Sequence, residues 1–456
     1  MNSCFVPYEK KVKKYYEPQG YEYELNTSDF ILKDSEGNME ATMFSYSYMK
    51  LPHEENRPVM FAYNGGPGAD SNWVHLGFLG PKNIHISNYP YLDSTTETTL
   101  KENRNFLLDV CDIVLINPAG TEHTYVTEKG KIKYFNSDGD CNSFVLFIED
   151  WLRKNGRQNS PVYLAGESYG TIRNLVVASR LPDYIHLAGI IFIGVSWNVG
   201  AKSISYVEPN VRRLGANAAT NWFHNLKNKI PFDAFIEEAI SFAYGQYAHI
   251  LLIGNNASEE EVADTAEKLS YYSGMDKDFL LKNHLRFSEP DYLNGFSNTS
   301  VISTYDSRIE SPKTGEQVRE PGADGDPFMD KVGSKFDHLM KEYASEIPLP
   351  PEREKCDIND IYRLWSFASI PEDTMKLPET LLRNKKKLCF MIANGYYDMQ
   401  STFDFVLYYL SQHDMPEERT FVKFYQGGHA CYVGDTTEAL QNDVRDFVKK
   451  SLEINS

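Results

Sequence analysis

Val162-Tyr-Leu-Ala-Gly-Glu-Ser-Tyr-Gly170 is the stretch on which the fold turns. Val162-Tyr-Leu-Ala165 is a short apolar run of strand type, and Ile172, Leu175, Val176 and Ser179 then recur on one side of a helix. Gly166-Glu-Ser-Tyr-Gly170 lies between them, so strand and helix are joined by a very tight turn. Glycines suit the two flanking positions, because a Cβ there would collide with the neighbouring elements. Such a turn holds the Ser168 hydroxyl above the sheet edge, with a helix N-terminus behind it that favours developing negative charge.

Working outward, further apolar runs end abruptly in loops. Val59-Met-Phe-Ala-Tyr63 stops at Asn64-Gly-Gly-Pro-Gly68, and Ile113-Val-Leu-Ile116 stops at Asn117-Pro-Ala-Gly120. Phe144, Phe147, Ile148, Trp151 and Leu152 share a helix face that Gly156 ends, and Ile190-Ile-Phe-Ile193 is again strand-like. Tyr21-Glu-Tyr-Glu-Leu25 and Met43-Phe-Ser-Tyr-Ser-Tyr-Met49 alternate around a polar turn, as a hairpin does. Strand signals return at Leu388-Cys-Phe-Met-Ile392 and Phe421-Val-Lys-Phe424. A helix carrying Phe403, Val406, Leu407 and Leu410 lies between them, and another closes the chain from about Thr437. Strands that are apolar throughout and alternate with helices predict an α/β fold, a mostly parallel sheet covered by helices on both faces.

Near residue 200 the pattern becomes helical. Phe232, Phe235, Ile236, Ala239, Ile240 and Ala243 keep helix spacing behind Pro231, the expected first helical residue. Ser258-Glu-Glu-Glu261 is a capping box whose helix stops near Gly274, and no strand is expected in this stretch. Residues 311–327, rich in Pro, Gly, Asp and Glu, read as an exposed loop. The expected division is a core in two parts, 1–200 and 376–456, interrupted by a mainly helical cap at 201–375.

A serine nucleophile needs a base and a group that orients the base. In the α/β-hydrolase fold the chain order is Ser, then Asp or Glu, then His. Beyond residue 340 the histidines are His413 and His429. His413 falls at a helix end beside Asp414 and Pro416, and is expected to be exposed. His429 sits in Gly427-Gly-His, a loop past a strand, where this fold places its base. Asp398 lies just past 388–392, whereas its competitor Asp404 comes after a helix has begun and reads as a solvated first-turn charge. Each motif alone could be an ordinary turn. Three in the required order, at three strand ends, point to Ser168, Asp398 and His429 as a triad. An oxyanion hole is also required, and 64–68 offers a backbone N–H that can approach a substrate closely. In this fold the partner donor is the N–H of the residue after the nucleophile, here Tyr169.

The composition narrows the partners. The 456 residues carry a net charge of −18, which repels phosphate backbones and anionic membrane surfaces and argues against nucleic acid. The N-terminal residues lack an apolar signal core, and no stretch approaches the ~20 apolar residues of a membrane span. The expectation is a soluble, cytoplasmic protein. The six cysteines, Cys4, Cys111, Cys141, Cys356, Cys389 and Cys431, are scattered without a C-x-x-C pair, which suits free thiols and gives no zinc pattern. No metal or organic cofactor is expected, and the oligomeric state is undetermined by sequence.

Asn64-Gly-Gly-Pro-Gly68, Gly166-Glu-Ser-Tyr-Gly170, Asn394-Gly-Tyr-Tyr-Asp398 and Gly427-Gly-His429, with Leu107-Leu-Asp109 and Asp306-Ser-Arg308, closely resemble the serine carboxypeptidase family. The likeness runs over roughly residues 20–450 and is nearest to the family's bacterial, disulfide-poor branch. The resemblance implies the same triad, an oxyanion hole from the N–H groups of Gly66 and Tyr169, and a site for the substrate's terminal carboxylate made by Asn64, Gly65 and Glu167. Glu167 can donate to a carboxylate only when protonated, so free-acid peptides are expected to be cleaved less well as pH rises. Some positions depart from the family pattern. Ala62 stands for an aromatic, Glu122 and His123 replace a small and an aromatic residue, and the base is followed by Ala430 and Cys431. Glu122 and His123 read either as altered specificity or as surface-loop variation, and Cys431 reads as a small packing residue. The expected substrate is a peptide or a small acyl compound. The implied activity is removal of C-terminal residues through an acyl-enzyme, with an acyltransferase or esterase as the alternative on the same triad.

Overall fold

The structure is a computed structural model and describes residues 5–198, 205, 207–313, 325–351, 353, 355–367 and 374–455. Its centre is a nine-stranded sheet. In chain order the strands are β1 (Glu9–Tyr16), β2 (Tyr21–Lys33), β3 (Met39–Lys50), β4 (Val59–Tyr63), β5 (Asp112–Asn117), β6 (Val162–Glu167), β7 (Leu187–Ile193), β8 (Cys389–Gly395) and β9 (Thr420–Tyr425). Their spatial order is β1-β2-β3-β5-β4-β6-β7-β8-β9. The first three form an antiparallel meander joined to β5, and from β5 to β9 every neighbouring pair is parallel. The hairpin read at 21–50 is β2 and β3. β1, whose sequence is mostly Lys, Glu and Tyr, gave no alternation to find.

The chain enters the parallel part at β4, steps outward to β5 and returns to β6 on the other side. β4 is thus the point where the strand order reverses, and ligands bind above the carboxyl ends of strands at such a point. The register brings those ends level: Tyr63 opposes Gly166, Glu167 opposes Ile193, and Gly395 opposes Tyr425. These strand ends, with the turns and the first helical residue that follow them, carry every candidate site residue.

Helices α1 (Ser137–Lys154), α2 (Tyr169–Arg180), α3 (Phe403–Gln412) and α4 (Thr437–Asn455) flank the sheet. On one face Phe61, Val114, Leu164 and Phe192 pack under Phe144, Ile148 and Trp151 of α1 and Ile172 and Leu175 of α2. On the other, Met60, Leu115, Tyr163, Ile191 and Met391 pack under Val444, Phe447 and Val448 of α4. Strands buried on both faces are why 162–165 and 190–193 read as unbroken apolar runs.

Between β7 and β8 most described residues are helical, as expected, and pack in two places. Leu214, Phe235, Ala239, Tyr247, Leu269 and Tyr292 build a core of their own, which Tyr397, Met399 and Phe403 join from the main body. Val332, Phe336 and Tyr343 instead join the sheet-face core, with Phe336 stacked on Trp73 at 4.0 Å. The Ser258 capping box forms, and its helix ends at Gly274 in the left-handed conformation. Pro231 is the N-cap, so that helix begins one residue later, at Phe232.

Two expectations here are corrected. Ser300–Ile302 and Glu310–Pro312 form a small antiparallel ribbon, three residues a side and too short for periodicity to reveal. Of the stretch read as an exposed loop, 314–324 lies outside the described residues, but Asp326 is buried. Its carboxylate accepts from Ser303 Oγ at 2.6 Å and from the N–H groups of Thr304 and Phe328. Among the described residues no helix is long and apolar enough to cross a membrane.

Candidate active site

Ser168 has φ 56° and ψ −124°, a strained conformation for a residue with a side chain. It is held there by the elbow: its N–H donates to Ile193 O at 2.9 Å, and the Thr171 hydroxyl donates to Ser168 O at 2.7 Å. A Cβ on Gly166 would lie 2.2 Å from Gly170 O, so strand and helix approach as closely as the sequence implied. Tyr169 opens α2, which leaves its N–H at the helix start.

Asp398 follows β8 and His429 follows β9. Nδ1 of His429 and Oδ2 of Asp398 are 2.8 Å apart, and both residues are buried. The other carboxylate oxygen accepts from the Ser401 N–H at 2.8 Å. Burial pushes the Asp398 carboxyl upward, opposed by His429. Burial alone would lower His429, but the Asp398 charge and hydrogen bond, helped by Glu167, outweigh it and raise the imidazole to about 9. Nε2 of His429 has no hydrogen-bond partner among the described residues and lies 3.4 Å from Glu167 Oε1. Aspartate and histidine are thus engaged, while Nε2 makes no hydrogen bond to Ser168, as is common in unliganded sites.

Asn64 and Glu167 meet beside them. Asn64 Nδ2 donates to Glu167 Oε2 at 2.9 Å and, more weakly, to the Tyr432 hydroxyl at 3.3 Å. Asn64 Oδ1 accepts from the Val74 N–H at 3.0 Å, which fixes the way the amide faces. Gly65 lies against the elbow, where a Cβ would be 2.5 Å from Tyr169 N, and Gly66 has φ +94°. The 64–68 loop and the first turn of α2 therefore pack directly against each other through Gly65.

Several supporting residues were missed by sequence reasoning. Arg173, fully buried, pairs with Asp140 at 2.8 Å and donates to Asn64 O at 2.7 Å, which ties the loop to α1 and α2. Its place inside an apolar helix was the only available signal. Gly194 has φ +61°, and a Cβ there would come 2.9 Å from His429 Cε1. Asp306 and Arg308, which the sequence had marked only through the family resemblance, pair at 2.6 Å, and Arg308 Nη1 donates to Gln426 O at 2.7 Å in the loop before His429.

The competing candidates fall elsewhere. Asp404 is in the first turn of α3 but is not solvated. It is buried, accepts from the Gly215 N–H at 2.7 Å, and is raised by burial to about 6. Sequence position gave its helical turn, and only the cap packed over it explains the burial. His413 is half-buried, with its ring stacked on Tyr409 at 4.0 Å. Glu122 is no free surface variation, since its Oε2 accepts from Asn72 Nδ2 at 2.8 Å. The His123 ring packs edge-on against Phe44 at 5.2 Å, and burial lowers its pKa. Cys431 is buried and its thiol is pushed upward by burial, which suits packing and not nucleophilic attack. Like Cys111, Cys141 and Cys389 it is a free thiol; Cys4 lies outside the described residues.

A mostly parallel sheet flanked by helices, with a nucleophile elbow after one strand and an Asp–His pair after the last two, makes this an α/β-hydrolase fold. The profile of the serine carboxypeptidase family matches residues 26–180, so that this part of the chain is similar to the serine carboxypeptidases. Serine carboxypeptidase-like 7 of Arabidopsis thaliana is 30% identical over 152 residues, a match that covers 32% of this chain and 32% of that protein's length. The crystal structure of KEX1(DELTA)P, a prohormone-processing carboxypeptidase from Saccharomyces cerevisiae, superposes with a TM-score of 0.52 at 14% identity, covering 93% of this chain and 91% of the other. At that identity the likeness is one of fold.

Proposed function

We propose that the chain is a serine carboxypeptidase that removes C-terminal residues from peptides through an acyl-enzyme. The observation that carries this reading is the meeting of two pairs at one elbow: Asp398 with His429 at 2.8 Å, and Asn64 with Glu167 at 2.9 Å. The first pair supplies a base. The second supplies an amide donor and a carboxyl group where a terminal carboxylate would sit.

In this mechanism Ser168 Oγ attacks the scissile carbonyl carbon while His429 Nε2 takes its proton. Asp398 keeps the imidazole oriented and stabilises its cation. The N–H groups of Gly66 and Tyr169 receive the developing oxyanion. The imidazolium then protonates the departing amine, and an ester remains on Ser168. Water, deprotonated by the same histidine, releases the shortened peptide and frees the serine. Asn64, Gly65 and Glu167 hold the terminal carboxylate, which sets the distance from the chain end to the cleaved bond. Tyr305, whose ring lies 5.6 Å from His429, supports a role for the inserted residues as one wall of the pocket.

The test is mass spectrometry on matched peptides with free or amidated C-termini. Stepwise trimming of the free acids, absent in Ser168→Ala, is the expected result. If no peptide is cut while Ser168 still takes a fluorophosphonate label, the activity is acyl transfer or ester hydrolysis instead.

A further inference from the structure

Asn64 holds a position in the site that leaves it short of hydrogens. Its amide carries two, and both are engaged, one toward Glu167 Oε2 at 2.9 Å and one toward the Tyr432 hydroxyl at 3.3 Å. Its carbonyl oxygen is taken by the Val74 N–H. Glu167, when ionised, accepts only. A carboxylate entering here would meet few donors unless an existing bond were broken.

Tyr432 differs. Its hydroxyl oxygen accepts from Asn64, and among the described residues no acceptor takes its proton. The ring is buried, and its place is built. A Cβ on Gly77 would come 2.2 Å from the ring, so only glycine leaves room, and Phe78 stacks on the same ring at 5.3 Å. The hydroxyl ends a continuous row of polar groups, His429 Nε2, Glu167, Asn64 and Tyr432, each in contact with the next. Burial and the nearby Glu167 charge raise its pKa well above the usual phenol range, so it keeps its proton.

We infer that Tyr432 is a specificity-determining donor of this site, whose O–H binds the substrate's terminal carboxylate as a neutral partner alongside Asn64 and Glu167. The inference rests on the carboxypeptidase reading above. It adds a donor whose hydrogen does not depend on the protonation of Glu167.

The test compares kcat and KM for one N-blocked dipeptide as the free acid and as the C-terminal amide, in the full chain and in Tyr432→Phe. Phenylalanine fits the same slot. The expected result is a fall of about tenfold in the ratio of free-acid to amide kcat/KM, carried by KM. Gly77→Ala, which displaces the ring, should lower the ratio in the same direction. Fluorophosphonate labelling of Ser168 reports whether each variant retains a folded site. A wild-type protein that prefers free acids, with the same ratio in both variants, overturns the role of Tyr432, as does a loss confined to kcat. A wild-type protein with no preference for free acids overturns the carboxypeptidase reading itself, and the inference with it.

Discussion

The backbone N–H of His429 donates to the carbonyl oxygen of Tyr305 at 2.6 Å, so the base is anchored to the segment inserted between β7 and β8. The same segment binds the acid loop, through Ser307 N–H to Tyr397 O at 2.9 Å and Met399 N–H to Thr304 O at 3.0 Å. A Cβ on Gly428 would lie 2.4 Å from Tyr305 O, which shows how closely the two backbones meet. The geometry of the Asp398–His429 pair is thus set by the insertion as well as by the sheet.

Arg308 is the rivet of that contact. Arg308→Ala would leave Asp306 buried with its charge uncompensated, a change expected to cost about 3–5 kcal/mol of stability. Because Asp306 and Arg308 hold the segment that fixes both loops, fluorophosphonate labelling of Ser168 should slow as well. Urea unfolding and the labelling rate are the two measurements. A variant that is destabilised yet labels at the wild-type rate would show that the clamp does not position the base.

Gly194 should be intolerant of any side chain. Its φ of +61° and the 2.9 Å approach to His429 Cε1 make Gly194→Ala push directly on the base. A misplacement of ~1 Å is enough to lower turnover by about 100-fold. The expected signature is a drop in kcat on an activated ester with substantial folding retained, read by near-UV circular dichroism. Wild-type turnover in Gly194→Ala would mean that the ring has room the structure does not show.

Much of this was legible in the sequence because each motif reports a local requirement. Gly166 and Gly170 declare a turn too tight for a Cβ, and the runs 162–165 and 190–193 declare strands buried on both faces. Asp398 and His429 stand directly past such strands, so the candidate triad emerged from order and position. What stayed hidden depends on contacts between distant segments. Gly194 carries no motif, and its need for glycine arises only from the His429 ring. Tyr432 reads as one more aromatic until its hydroxyl is placed beside Asn64. Asp404 has the spacing of a solvated helix charge, and its burial comes from Gly215, 189 residues away in sequence.

Asp398 and Asp404 should separate cleanly under substitution. Asp398→Asn removes the charge that orients His429 and is expected to lower kcat about 10,000-fold. Asp404→Asn should leave labelling of Ser168 intact, since its carboxylate serves Gly215 and not the triad. Its effect is on stability. Asp404 is raised from 3.8 to about 6 in the fold, so its favourable contribution is complete below 3.8 and is lost as pH rises through about 6. Relative to wild type, Asp404→Asn should therefore gain about 2–3 kcal/mol between pH 4 and 7. Denaturant titrations at several pH values measure the slope, and parallel curves for the two proteins would refute it.

Glu167→Gln should change two pH profiles in ways that can be told apart. On an ester without a terminal carboxylate, hydrolysis requires neutral His429, which is raised to about 9 partly by Glu167. Wild-type ester hydrolysis should therefore climb with pH, and removing the Glu167 charge should move that limb toward lower pH. On a free-acid peptide, wild-type Glu167 must be protonated to donate, because two contacting carboxylates cannot both stay charged at low cost. Glutamine donates at every pH. The ratio of free-acid to ester kcat/KM should then fall with pH in the wild type and stay flat in Glu167→Gln. If the ratio falls equally in both proteins, the titrating group is another residue and Glu167 does not hold the carboxylate. If the ratio is flat but the ester limb does not move, Glu167 contacts the substrate without lifting the base, and the 3.4 Å approach between Glu167 Oε1 and His429 Nε2 has no electrostatic consequence in solution.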